Sequence, residues 1–332
     1  MLYIIYGLTT VLRKATCDFF DTAGIEHVEK LTFETKDVKV QPTDGRLNRA
    51  DSEETVRQCD YVYENHGRVV GFTADQIEAA VTGKTDAYLT FSTGDLSFLR
   101  EIKNAYGDHV TSIYIFTEEK ALETITNAID APEEQKRERL NLGRIIKECY
   151  LTERELFDET VIFSGENTTF DIPSLSTQYA TILAKYKERE SKLPPLPYKG
   201  NDPYIFVSYS RKDTETVIPL LNKLNQMGCR IWYDKGIKGG ENWMTTLAMK
   251  IRGCSQYLLF SSENSTKSVW TKREARKATK TDDIEILTVR MDDAHFDEGI
   301  EWVLEDYQQL FLNDEDFEKE LFASISEDVI DK

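Results

Sequence analysis

Three strand-to-loop junctions in the second half of the chain collect the side chains best suited to chemistry. YIFVSYSRKD (204–213) is an apolar run that ends in a loop carrying Tyr209, Ser210 and Arg211. GCRIWYDKGIKGGENW (228–243) is a second apolar run, which passes Asp234 and a glycine-containing loop before reaching Trp243. QYLLFSSENSTKSVWTKREARKA (256–278) is a third, followed by a Ser/Asn-rich turn and a helical stretch bearing Trp270 and Glu274. Those two residues stand at i and i+4 and so share a helical face, able to line one cleft. A carboxylate, a forked guanidinium and aromatic faces can respectively accept hydrogen bonds or face positive charge, grip an oxyanion, and stack on a flat ring. Alone they fix no reaction. In TKREARKATK, Glu274 reads equally as a solvated ion-pair partner, Arg211 as an exposed loop charge and Asp234 as a loop cap.

The elements that must hold these loops follow from hydrophobic period. In the first half LYIIY (2–6), AYLTF (87–91), VTSIYIF (110–116) and TVIF (160–163) read as buried strands. TADQIEAAVTG (73–83) and LSFLREIKNAYG (96–107) read as helices stopped by glycine. In the second half YIFVSYS, CRIWYD, QYLLFS and IEILTVRM (284–291) are strand-like, with a helix over 217–228 between the first two. Strands alternating with helices predict two α/β domains built on parallel sheets, with working loops at the carboxyl ends of the strands. YKERESKLPPLPYKGNDP (186–203) is a charged helix end followed by four prolines. It predicts an extended linker over 191–203, between a domain at 1–190 and one at 204–332.

Of 332 residues, 41 are basic and 59 acidic, a net charge of −18 that disfavours nucleic acid or an anionic membrane as a bulk partner. The charge is uneven. Residues 201–281 carry 14 basic against 7 acidic side chains, and residues 282–332 carry 3 against 18. The five cysteines are widely spaced and the four histidines stand apart, so free thiols and no metal site are expected. No apolar run approaches the roughly 20 residues of a membrane span, and the apolar start reads as a first strand. A cytoplasmic location is the expectation.

The three blocks, in this order and spacing, resemble the TIR (Toll/interleukin-1 receptor) domain family over about residues 201–327. The resemblance implies a flavodoxin-like five-stranded parallel sheet. It also implies one of two activities, an adaptor that only assembles with other TIR domains, or an enzyme that cleaves NAD+. The enzymatic class needs a glutamate on the helix after the third strand, where this chain has Glu274. Cleavage of the nicotinamide–ribose bond expels a neutral base from a pyridinium, so one carboxylate facing the oxocarbenium-like ribose suffices. On this reading NAD+ is substrate and no cofactor is needed. Arg211 would hold pyrophosphate, Tyr209, Trp243 and Trp270 would face nicotinamide, and Ser210 and Asp234 would border the site. The loop KGIKGGEN (235–242) lacks the proline often found there in adaptors. Phe296 in MDDAHFDEG falls where some NAD-cleaving relatives place an aromatic that completes a neighbour's site.

The first half is similar, more weakly, to guanylate-kinase-type enzymes and ribosyl bisphosphate kinases through CDYVYENHGRVVGF, the LREIKNAYG helix and RERLNLGRIIKECY. The phosphate loop GxxxxGK[ST] is degenerate, with Gly7 kept but Leu12, Arg13 and Lys14 at the second glycine, lysine and hydroxyl positions. This resemblance implies a P-loop-kinase-like fold that has lost phosphoryl transfer. Joined to a TIR domain, it implies a sensor, triggered by a nucleotide or phage-derived ligand, that gates an antiviral NAD-depleting effector. The basic and acidic stretches would face opposite ways and stack TIR domains head to tail in a filament.

Overall fold

The computed structural model describes residues 1–7, 10–35, 47–65, 67–83, 85–163, 172–190, 192–234 and 243–331. It divides into two compact units, Met1–Glu190 and Ser191–Lys332. Both are α/β and each contains a five-stranded parallel sheet.

The first unit runs through β1 (Leu2–Tyr6), β2 (Glu26–His27), β3 (Lys30–Glu34), β4 (Leu47–Arg49), β5 (Tyr61–Asn65), β6 (Arg68–Phe72), β7 (Ala87–Phe91), β8 (Val110–Thr117) and β9 (Glu159–Phe163). The parallel sheet has the order β2-β7-β1-β8-β9. LYIIY and AYLTF are buried at every position, as strands covered on both faces must be. The helix Ser97–Tyr106 buries Phe98, Leu99, Ile102 and Tyr106 at helical spacing and stops at Gly107, whose φ is +55°. A second sheet, β4-β3-β6-β5, mixes parallel and antiparallel pairing and adds to the expected architecture. Only its VVGF strand is plain in the sequence. Gly7 has φ +98°, and a Cβ there would lie 2.9 Å from the Ile115 carbonyl oxygen, so glycine is required. Leu12 is fully buried, and Lys14 pairs with Asp18 at 2.5 Å on the surface.

The second unit contains β10 (Ile205–Ser208), β11 (Ile231–Tyr233), β12 (Gln256–Ser261), β13 (Glu285–Arg290) and β14 (Gln308–Phe311), all parallel in the order β11-β10-β12-β13-β14. Alternation along the strands builds two cores. Ile205, Val207, Ile231, Leu258 and Leu287 pack on one face with the helix Thr214–Gln226. Phe206, Trp232, Tyr257, Leu259 and Ile286 pack on the other with Leu247, Ala275, Ala278 and Ile300. Strand order reverses between β11 and β12 around β10, and in such sheets the crevice at the carboxyl ends of the strands beside that reversal receives ligands.

The proline-rich stretch is extended and held to this unit. Leu193 and Pro195 carbonyls accept from Asn222 at 2.9 Å and from the Tyr233 hydroxyl at 2.6 Å, and the Tyr198 N–H donates to Ile231 at 2.7 Å. All five cysteines are free thiols. Among the described residues no helix is long and apolar enough to cross a membrane.

Candidate active site

A buried carboxyl stands at the carboxyl end of β10, beside the reversal of strand order. The helix Val269–Ala278 starts at Ser268, whose hydroxyl accepts from the Thr271 N–H at 3.2 Å, and its inward face is Thr271, Glu274, Ala275 and Ala278. Two alanines bring that face close to the sheet, and Glu274 beside them is only 7 % exposed. Its carboxylate accepts a hydrogen bond from the hydroxyl of Ser208, at the carboxyl end of β10. Tyr257 of β12 is wholly buried beside them, and its phenol is pushed far up, first by burial and then by the Glu274 charge.

No lysine or arginine pairs with Glu274 among the described residues. Its basic neighbours on the helix turn elsewhere. Lys272 and Arg276 reach Asp297 at 3.1 and 3.3 Å, and Arg273 lies over the Trp270 ring at 4.8 Å. Burial pushes the Glu274 carboxyl up to about 7, the Asp234 charge adds to the shift, and the Ser208 hydrogen bond opposes it. The local sequence favours a solvated ion-pair partner; the structure instead encloses a carboxyl that titrates near neutrality. Groups of this kind in a cleft suit acid–base or charge-stabilising roles.

Around this centre the expected residues divide. Arg211 and Asp234 meet at 3.4 Å, and Asp234 lies within electrostatic reach of Glu274. Ser210 is buried, its oxygen accepting from Lys212 N–H at 3.4 Å, so it shapes the turn Arg211–Asp213. Tyr209 is half-buried against the core, 6.4 Å from Tyr233 between ring centroids. Trp270, one helical turn before Glu274, is 43 % exposed, whereas Glu274 is buried. Phe296 is a core residue, 5 % exposed, with its N–H donating to Glu301 at 2.9 Å; it is not presented to a neighbour. The loop 235–242 and the side chain of Trp243 lie outside the described residues.

The basic and acidic stretches also meet within the unit. Beyond the Asp297 pairs, Lys223 reaches Glu318 at 2.5 Å and Arg230 reaches Asp331 at 2.7 Å. Part of the opposed charge is therefore satisfied internally, and the two stretches do not simply face opposite ways.

Two other side chains complete the frame. Besides Ser208, Asp213 is buried and accepts from the Ser262 hydroxyl at 2.5 Å and from Asn264 Nδ2 at 2.6 Å. It ties the loop after β10 to the turn after β12, across the crevice. Asp213→Ala leaves both donors without their acceptor and is expected to cost about 2 kcal/mol, read as a fall in the denaturant midpoint at unchanged m-value. The signal for Ser208 was a serine within a buried apolar strand, since a buried hydroxyl demands a partner.

A family model described as TIR domain matches residues 205–325. Among curated proteins none matches the chain. Among solved structures, the chain is similar to a guanylate kinase from Anaplasma phagocytophilum at 16 % identity and TM-score 0.37, covering 56 % of this chain and 84 % of that one. It is similar also to the TIR domain of the Toll-related receptor TRR-2 from Hydra magnipapillata, at 18 % identity and TM-score 0.31, covering 36 % of this chain and 94 % of that one.

Proposed function

We propose that the TIR domain formed by residues 205–325 cleaves the bond between nicotinamide and ribose in NAD+, with Glu274 as the catalytic carboxylate. The observation that carries this reading is the enclosure of Glu274, with no lysine or arginine paired to it among the described residues, where the strand order reverses. A scaffold that only assembled with its like would have no use for so costly a group.

The bond between C1′ and the pyridinium nitrogen breaks with its electron pair passing to nitrogen, so nicotinamide leaves neutral. The ribose becomes an oxocarbenium ion. Ionised Glu274 stabilises that charge and accepts hydrogen bonds from the ribose hydroxyls. Water captures C1′ and releases a proton, giving ADP-ribose; capture by an adenine nitrogen gives a cyclic product. Arg211, 70 % exposed in its side chain beside Asp234, supplies a guanidinium for the pyrophosphate. Residues 1–190 act as the sensor that gates this chemistry, and a carboxyl enclosed at rest suits an effector that would otherwise drain the cell's NAD+.

The reading is tested by the pH dependence of nicotinamide release from the full chain. Because the ionised carboxyl is the working form, the rate rises with pH through a midpoint near 7. The Ser208 hydrogen bond lowers that midpoint, so Ser208→Ala moves the limb to higher pH while Ser208→Thr leaves it in place. A profile flat from pH 5 to 9 in the parent would count against ionised Glu274. Equal profiles in the parent and Ser208→Ala would remove Ser208 from the mechanism.

A further inference from the structure

Tyr257 of β12 is wholly buried, yet its hydroxyl makes no hydrogen bond among the described residues. A buried hydroxyl left unpaired is unfavourable. Its ring is held in place by a run of aromatic contacts across the sheet. It stacks on Phe206 at 5.6 Å between centroids, and Phe206 stacks in turn on Trp232 at 5.0 Å. Phe206 and Tyr257 are register partners on β10 and β12, and Ser208 stands two residues beyond Phe206 on the same face. Ser208 and Glu274 both act on the phenol, which puts it beside their hydrogen bond.

Ser208 gives its one proton to Glu274, and its oxygen keeps lone pairs that can accept another. A protonated Glu274 draws the phenol proton weakly. An ionised Glu274 is a buried negative charge, and each donor dipole turned towards it counts for more in that low-dielectric setting. The charges on the elements around it are otherwise engaged. On its own helix Lys272 and Arg276 hold Asp297, and Arg273 covers Trp270. On the neighbouring helices Lys250 lies over the Tyr204 ring, Lys267 pairs with Glu263, and Glu301 pairs with Arg290. Asp234 raises the Glu274 carboxyl and so opposes its ionisation.

We propose that Tyr257 is a positioning residue for Glu274: its hydroxyl donates to the Ser208 oxygen when the carboxyl ionises, completing a chain from phenol to serine to carboxylate. No proton leaves Tyr257; its O–H dipole holds the charged form of Glu274 in place. The role rests on the reading of Glu274 as the working carboxylate, but the coupling of the two side chains is measured without NAD+.

The test is a thermal-melting cycle on the full chain between pH 5 and pH 9, with the parent, Tyr257→Phe, Glu274→Gln and the double variant. Phenylalanine keeps the stacked ring and removes only the hydroxyl. At pH 5 Tyr257→Phe is expected to melt no lower than the parent, because it removes an unpaired group. At pH 8 to 9 it is expected to melt about 2–4 °C lower, because the ionised carboxylate has lost a donor. In the Glu274→Gln background the effect of Tyr257→Phe is expected to be the same at every pH. The rising limb of nicotinamide release is expected to move up by about half a pH unit or more in Tyr257→Phe. Should that variant not fold, parent protein labelled with carbon-13 at tyrosine Cζ serves instead. One resonance moving through the Glu274 midpoint, and still in Glu274→Gln, supports the chain; none moving overturns it. A Tyr257→Phe effect equal at pH 5 and pH 8, or one whose pH dependence survives Glu274→Gln, would also overturn it. If the parent leaves NAD+ intact, the catalytic reading of Glu274 fails, while the melting cycle still tests the coupling.

Discussion

Glu274→Gln is expected to reduce nicotinamide release about a hundredfold or more, a loss on the order of 3 kcal/mol in transition-state stabilisation. The same change is expected to leave the fold no less stable at pH 8. Glutamine keeps the size of the side chain and an oxygen that can accept from Ser208, and it removes only the charge. The sign of the stability effect follows from linkage. A carboxyl raised from 4.5 to about 7 by folding contributes its full share below 4.5, and that share is lost as pH rises to 7. Above pH 7 the parent bears a penalty on the order of 2–3 kcal/mol, and the amide does not. Melting curves at pH 5 and pH 8 check this. The variant should gain on the parent between the two, whereas a structural role for the charge would make it lose.

The second large effect is on stability. Arg290, at the carboxyl end of β13, is 5 % exposed and ion-paired with Glu301 in the helix Glu298–Leu304. It also donates to Gln309 at 2.9 Å and to Ser261 at 3.2 Å, while Glu301 accepts from the Phe296 N–H. Burial alone would raise the Glu301 carboxyl, but hydrogen bonds from Arg290, His295 and Phe296 bring it below its ordinary value. Glu301→Ala strands the Arg290 charge and the Phe296 N–H together. A loss of about 3–5 kcal/mol is expected, which for a domain of this size is about 10 °C or more in Tm. Replacing Arg290 and Glu301 together by methionine and leucine should recover much of that loss, because no unpaired charge remains. Equal stability of Glu301→Ala and the parent would show that the pair does not hold β12, β13 and the final helices together.

Strand positions were legible wherever burial was complete. LYIIY, AYLTF and QYLLFS are predominantly apolar and buried at every position because both sheet faces are covered. The second sheet of the first unit was not legible as a whole. Half-buried β3, KLTFE, mixes a buried lysine with a partly exposed phenylalanine, so its pattern names no face. At the site, the residue type of Glu274 was visible but its surroundings were not. Its neighbours in sequence are charged, and its enclosure depends on Ala275 and Ala278 drawing the helix onto the sheet and on Ser208, far away in sequence. Trp270, which spacing placed on the face of Glu274, is left 43 % exposed with Arg273 over its ring.

Incubation of concentrated full-length protein with NAD+ at pH 8, with free nicotinamide quantified beside its Glu274→Gln variant, addresses the role of the buried carboxyl most directly. The expected result is nicotinamide together with ADP-ribose or its cyclic form from the parent, and intact NAD+ from the variant. NAD+ left intact by the parent, or consumed equally by the variant, would contradict a catalytic Glu274.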